Sequence, residues 1–154
     1  MSENLFAGYV EILRLSAQMQ NSWCEMIKLE LDKNGFEGIS PQQALMLYYL
    51  GDQEVSIKDL VARGYASTGN PSYSVSKLAQ RKFLITHQSK SDKRSIRVRL
   101  GENGYKVTAC IKDMTRRHSA ELARGGMKDE QINFAILVLQ RLSLFMAARE
   151  RPKF

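Results

Sequence analysis

The chain has 154 residues, 44% of them hydrophobic and 25% charged, which is the make-up of a globular protein and excludes a disordered or fibrous one. Its 23 basic and 16 acidic side chains leave a net charge of +7, which suits a phosphate-bearing partner or an anionic surface. Two cysteines are too few for a disulfide framework.

No apolar run approaches the roughly 20 residues needed to cross a bilayer. The opening stretch, MSENLFAGYVEILRL, begins acidic and lacks a basic leader with a cleavage site. A soluble cytoplasmic protein of one compact domain is therefore expected, with no membrane partner. There is no internal repeat and no low-complexity segment.

A first helix is predicted over Met1 to Lys33. Phe6, Tyr9, Leu13, Trp23, Ile27 and Leu31 form one stripe, widened by Leu5, Ile12, Met19 and Met26. Asn34-Gly35 stops it, since both tolerate a left-handed cap. The stripe is broader than a small domain needs, so part of it is expected to meet a second subunit. Ser40, Pro41 and Gln43 then start a second helix as cap, first-turn proline and capping-box partner. Its core residues are Leu47 and Leu50, and Gly51-Asp52 ends it. Ser56 caps a short third helix, with Val55 and Leu60 placed as a hydrophobic staple, and Gly64 stops it.

Asn70-Pro71 disfavours helix at Asn70 and suits the first helical position at Pro71. A fourth helix is predicted from Pro71 to about Lys82. Val75, Leu78 and Ala79 share its inner face, while Ser72, Tyr73, Ser76, Lys77 and Gln80 fall on the other. Leu84 to Gln88 reads as a strand. From Ser95 to Leu100 the pattern alternates, with Ile96, Val98 and Leu100 on one face and Arg97 and Arg99 on the other. Between these strands lies a polar, basic turn, 89–94. A fifth helix runs from Glu102 toward Ala123 on Val107, Ile111 and Met114. Gly125-Gly126 breaks it. A last helix, from about Lys128 to Arg149, carries Phe134, Leu137, Val138, Leu142, Phe145 and Met146, again a broad apolar surface.

Charge singles out one segment. Lys77 to Arg99 holds eight cations and one anion, so it carries the whole excess of +7 and the rest of the chain sums to zero. That is the footprint of a surface that meets phosphates; a solvated charged face is the bland alternative. Helix, short helix, turn, helix and hairpin follow one another as in a winged helix-turn-helix.

Ser74-Val-Ser-Lys-Leu78, Asp92-Lys93-Arg94-Ser95, Val98-Arg99-Leu100 and Gly104 together resemble the MarR-type transcriptional regulators, and the flanking helices extend the resemblance over nearly the whole chain. The opening Gly69-Asn70-Pro71-Ser72-Tyr73 resembles a smaller, LdtR-like branch of that family. Lys82 stands where the family usually has Gly, and Leu100-Gly101 where it usually has Leu-Thr. The resemblance implies a mainly α fold with a small β-hairpin wing, with 36–100 as the winged helix-turn-helix and 1–35 and 101–154 as helices that intertwine with those of a second subunit. It also implies that Asp92 orients Arg94 and that Arg94 enters the minor groove.

On that reading the partner is double-stranded operator DNA. Ser72, Tyr73, Ser76 and Lys77 would face base edges from the fourth helix. Thr68 and Asn70 would bond phosphates at its start. Arg94 suits a narrow A·T-rich minor groove, and Lys90, Lys93 and Arg97 the backbone. For Tyr73 the competing reading is a ring packed beneath the helix; for Arg97 and Arg99 it is a solvated strand face.

Catalysis has no constellation to carry it. His87 and His118 belong to no His-Glu-x-x-His, and Cys-x-x-Cys and a phosphate-binding glycine loop are absent, so no metal, cofactor or enzymatic role is expected. For control, the resemblance implies either a small aromatic effector, for which Trp23, Met26, Met46, Tyr48 and Tyr49 would supply a soft lining, or oxidation of Cys24. For each of these residues plain core packing is the competing reading. The chief alternative to a homodimeric DNA-binding regulator is a winged-helix adaptor whose basic face holds an acidic protein.

Overall fold

The structure, a computed structural model, describes residues 3–65, 70–89, 92 and 94–150. Its elements run α1 (Glu3–Lys33), α2 (Pro41–Leu50), β1 (Val55–Ser56), α3 (Ile57–Ala62), α4 (Pro71–Gln80), β2 (Leu84–Gln88), β3 (Ile96–Leu100), α5 (Glu102–Arg124) and α6 (Asp129–Glu150). The chain divides into two units, Met1–Met114 and Thr115–Phe154, and the division falls within α5.

The first unit holds the core, which Ile27 and Leu31 of α1, Ala44 to Leu47 and Leu50 of α2, and Leu60 of α3 build together with Val75, Leu78, Leu84, Val98 and Leu100. Val107, Ile111 and Met114 close it from α5. Ile27, Leu31, Leu47, Leu50, Val75, Leu78, Val98, Leu100, Val107, Ile111 and Met114 are as expected from the sequence, whereas α2 also buries Ala44, Leu45 and Met46, the last of which was expected beside an effector. The sheet has one strand more than expected. Val55 pairs with Val98 and Ser56 with Arg97, giving the antiparallel order β1-β3-β2. Two residues are too few to show an alternating pattern, so β1 left no mark in the sequence beyond the Ser56 cap.

That cap is present. Ser56 Oγ accepts the Asp59 N–H at 3.0 Å, and Asp59 returns a bond to the Ser56 N–H. The bonds to Ser56 hold the Asp59 carboxyl below its ordinary range. Ser40 and Gln43 form the same reciprocal box at the start of α2.

Four helices end in one motif. The amide two residues past the helix cap bonds back five residues, and the residue before it is left-handed. Three of these left-handed positions are glycines: Gly35, Gly64 and Gly126. The fourth is Lys82, at φ 59°, where Lys82 N–H bonds the Ala79 carbonyl and Phe83 N–H bonds the Leu78 carbonyl. This turn ends α4 at Gln80, slightly before the expected Lys82. It is also where the resemblance called for glycine, and the backbone there keeps a glycine-type conformation.

In the second unit the described part of α6 buries none of its large apolar side chains; Phe134 is 67% exposed and Leu144 73%. By length and composition Asp129–Arg149 could cross a membrane. This corrects the expectation that no stretch qualified. Gln131, Asn133, Gln140 and Arg141 interrupt any continuous apolar run, yet they are too few to bring down the mean hydropathy of the helix.

Lys82→Gly is expected to stabilise the chain by about 0.5–1 kcal/mol. It relieves a left-handed penalty of about 1–2 kcal/mol at some cost in unfolded-state entropy. Urea denaturation checks this, and a lower midpoint for the glycine variant would contradict the conformational argument.

Candidate nucleic-acid interface

Local chemistry sets the axis of α4. Asn70 Oδ1 accepts the Tyr73 N–H at 3.1 Å and Pro71 occupies the first turn. Asn70 is thus a cap first, and only its amide NH2 group is left to donate outward to a phosphate. Val75 and Leu78 are buried, and α4 packs on α3 and β2. Ser72, Tyr73, Ser76, Lys77 and Gln80 are all exposed, on the side opposite the core. The competing reading for Tyr73 does not hold: its ring is 56% exposed, with the Lys77 ammonium 4.6 Å from the ring centroid.

Beyond α4, the β2–β3 ladder pairs Ile85 with Arg99 and His87 with Arg97. All four therefore share the outer face of the sheet. Two of them are tied to Glu54, beside β1. Arg97 Nη2 donates to the Glu54 carbonyl at 2.7 Å, and Arg97 Nε and His87 Nε2 lie 3.5 and 3.3 Å from its carboxylate. Arg97, expected as a backbone contact, thus already serves the fold. Arg99 is exposed.

At the tip, Asp92 Oδ1 accepts the backbone N–H of Arg94 at 3.0 Å, and the Asp92 carbonyl accepts the Ser95 N–H at 2.9 Å. The aspartate therefore shapes the turn that presents Arg94, through the main chain of Arg94. Arg94 is exposed. Thr68, Lys90 and Lys93 lie outside the described residues.

A residue counted only as charge has a different task. The guanidinium of Arg81 donates to the carbonyls of Glu37 and Gly38, between α1 and α2, and stacks 5.3 Å from the Phe83 ring. A side chain at Gly38 would collide with that guanidinium. Glycine 43 residues upstream was the only trace of this clamp in the sequence, and no local pattern links the two positions.

The residues expected around an effector are scattered. Met46 is buried in the core, Trp23 packs against it, and Met26 and Tyr49 are partly exposed. A cavity of about 420 Å³ lies beside Tyr48, Gly51, Asp52, Leu100, Tyr105, Thr108 and Lys112. Of the expected lining, Tyr48 alone reaches it, and Tyr105 and Thr108 were missed because α5 was read for its buried face. Cys24 is partly buried and receives a bond from Gln20 Nε2 at 3.7 Å.

A family model described as MarR family matches residues 37–95. The exopolysaccharide II synthesis transcriptional activator ExpG of Rhizobium meliloti (strain 1021) is 31% identical over 136 residues, covering 88% of this chain and 70% of that protein. Among solved structures, Streptococcus pneumoniae FabT in complex with DNA superposes with a TM-score of 0.70 at 18% identity, over 91% of this chain and 98% of that one. Staphylococcus aureus MarR in complex with salicylate and kanamycin gives 0.72 at 15% identity, over 94% and 96%. At such identities the two structures speak for the fold. The finer, LdtR-like resemblance rests on the Gly69–Tyr73 stretch alone.

The geometry sorts the cations by task, and stability reads the sorting. Arg81→Ala is expected to cost about 1–2 kcal/mol, the worth of charge-assisted bonds to two carbonyls. Arg99→Ala should fall within about 0.5 kcal/mol of the parent. Urea melts of both variants decide it, and equal losses would refute the division.

Proposed function

Because the chain belongs to the MarR family of transcriptional regulators, we propose that it acts as a homodimer that reads a specific operator in double-stranded DNA. The observation that carries this is the exposed face of α4 set beside a wing whose Arg94 and Arg99 point to solvent, in the one segment that holds all the net charge. Ser72, Tyr73, Ser76 and Lys77 meet base edges in the major groove, and Arg94 enters the minor groove. Asn70 and Arg99 bind phosphates, with Thr68, Lys90 and Lys93 in the same role. Residues 36–100 form the DNA-binding part.

The helices of 1–35 and 101–154 form the dimer. Leu5, Phe6, Val10 and Leu13 of α1 and Phe134, Ile136, Leu137 and Leu144 of α6 are exposed, and a second copy supplies the apolar cover they need. Two recognition helices about 34 Å apart meet successive major grooves. An effector that binds better to another spacing releases the DNA by that difference in affinity. The salicylate in the Staphylococcus aureus relative supports a small aromatic effector, and the cavity beside Tyr48 has room for one. Oxidation of Cys24 is the other route to the same release. Such a regulator acts in the cytoplasm.

Fluorescence anisotropy tests the DNA reading, with the duplex upstream of the protein's own gene and a scrambled one at several salt concentrations. Expected is binding at least about 1000-fold tighter to the specific duplex. In Arg99→Ala the log–log salt slope should be shallower by about 0.9. If a genome-wide selection of bound fragments also returns nothing, the basic face serves an acidic protein partner instead.

Sedimentation equilibrium without detergent tests the dimer. The expected mass is about twice the 17.5 kDa of one chain. A monomer overturns the dimer, and flotation with lipid vesicles would assign α6 to a bilayer.

A further inference from the structure

On the outer face of α4, Tyr73 and Lys77 are one helical turn apart, and the Lys77 ammonium stands 4.6 Å from the centre of the Tyr73 ring. α4 carries no acidic residue to draw that ammonium away. Resting on the DNA reading above, we propose that Tyr73 and Lys77 form a single reading unit that selects a guanine beside a thymine in the major groove, with Tyr73 both contacting the thymine and positioning Lys77.

The chemistry divides the work. The ammonium covers the ring's negative face, so the C–H edge and the hydroxyl of Tyr73 are what the groove meets. A carbon edge suits the thymine C5 methyl, an apolar feature that cytosine lacks. Lys77 has three N–H donors and no acceptor. Those turned from the ring can reach guanine O6 and N7, whereas adenine offers one acceptor beside an N6 donor that repels an ammonium. A lysine alone on a helix loses rotamer freedom when it takes up a base edge. Here the ring holds the ammonium before DNA arrives. Positions four apart are separated by about 6 Å along the helix. Because long helical side chains lean toward the N-terminus, Lys77 lies back over Tyr73 and the two heads fall within one base step.

The remaining exposed side chains on the face are small or uncharged: Ser72, Ser76 and Gln80. Serine accepts either a donor or an acceptor and discriminates little. Gln80 can pair with adenine but is the last residue of α4, away from the N-terminal half that meets base edges, so the pair is the part of that half with a strong preference.

The test begins with selection of bound duplexes from a randomised pool by the full chain. The expected motif holds a guanine next to a thymine in each half-site. In the selected duplex that thymine is replaced by uracil, removing the methyl, and the guanine by 7-deazaguanine, removing N7. Each change should weaken binding by about 5-fold or more, the low end for a good base contact. Lys77→Ala should become indifferent to 7-deazaguanine. Tyr73→Ala should become indifferent to uracil and also lose most of its sensitivity to 7-deazaguanine, while Tyr73→Phe keeps both. Circular dichroism melts confirm that the variants fold, as the exposure of both side chains leads one to expect. An enriched motif without that guanine and thymine overturns the proposal. So does a Tyr73→Ala protein that still discriminates fully against 7-deazaguanine, for then the two residues act independently. A pool that yields no enriched sequence overturns the DNA reading itself, and this proposal with it.

Discussion

Three successive carbonyls in the turn that follows α4 are bonded by the start of α5. Asn103 Nδ2 takes Arg81 O at 2.9 Å, Asn103 N–H takes Lys82 O at 3.0 Å, and Gly101 N–H takes Phe83 O at 2.9 Å. Two glycines make the approach possible. A Cβ at Gly101 would run into the Lys82 carbonyl, and one at Gly104 into that of Phe83. The last carbonyls of a helix have no partner within it; here the turn after α4 takes those of Lys77, Leu78 and Ala79, and the start of α5 takes those of the turn itself. The helix with the exposed polar face is thus fastened to α5 through backbone, independently of any side chain on that face. Residues 72, 73, 76 and 77 are consequently available to be chosen for what they touch outside.

The same fastening explains why Lys82 tolerates a left-handed backbone. Its N–H and C=O are both engaged, and its neighbours on either side are engaged too. A local penalty of about 1–2 kcal/mol persists where surrounding bonds over-determine the conformation. Arg81 adds a second fastening from the same turn, to the segment between α1 and α2. One turn of four residues, 80–83, thereby ties α4 to the links on both sides of it. A basic count cannot separate such a clamp from a phosphate contact. Arg81 and Arg97 are bonded within the fold, and the segment's other described cations, Lys77, Lys82, Arg94 and Arg99, are exposed.

Wing and sheet depend on the short third strand in a similar way. β1 gives β3 a partner on its second edge, so β3 is the central strand. Glu54, at its entry, is the anchor for Arg97 and His87. The hairpin that carries Arg94 is therefore held at its base by hydrogen bonds and by an ion pair, and its tip is shaped by Asp92.

Much of this was legible in the chain itself. Periodicity named the buried faces of α4 and α5, caps at Ser40 and Ser56 and the Asn70-Pro71 step set where helices begin, and glycines set where four of them end. Such features act over four or five residues, so local sequence is enough to reveal them. The concentration of charge between Lys77 and Arg99 was equally plain. Tertiary structure alone decided the rest. It paired Val55 with Val98, turned Arg81 onto carbonyls more than forty residues away, committed Arg97 to Glu54, and put Tyr105 and Thr108 beside Tyr48 at the cavity. A side chain's residue type states which bonds it can make. Which groups are within reach depends on how distant segments pack, and no local pattern records that.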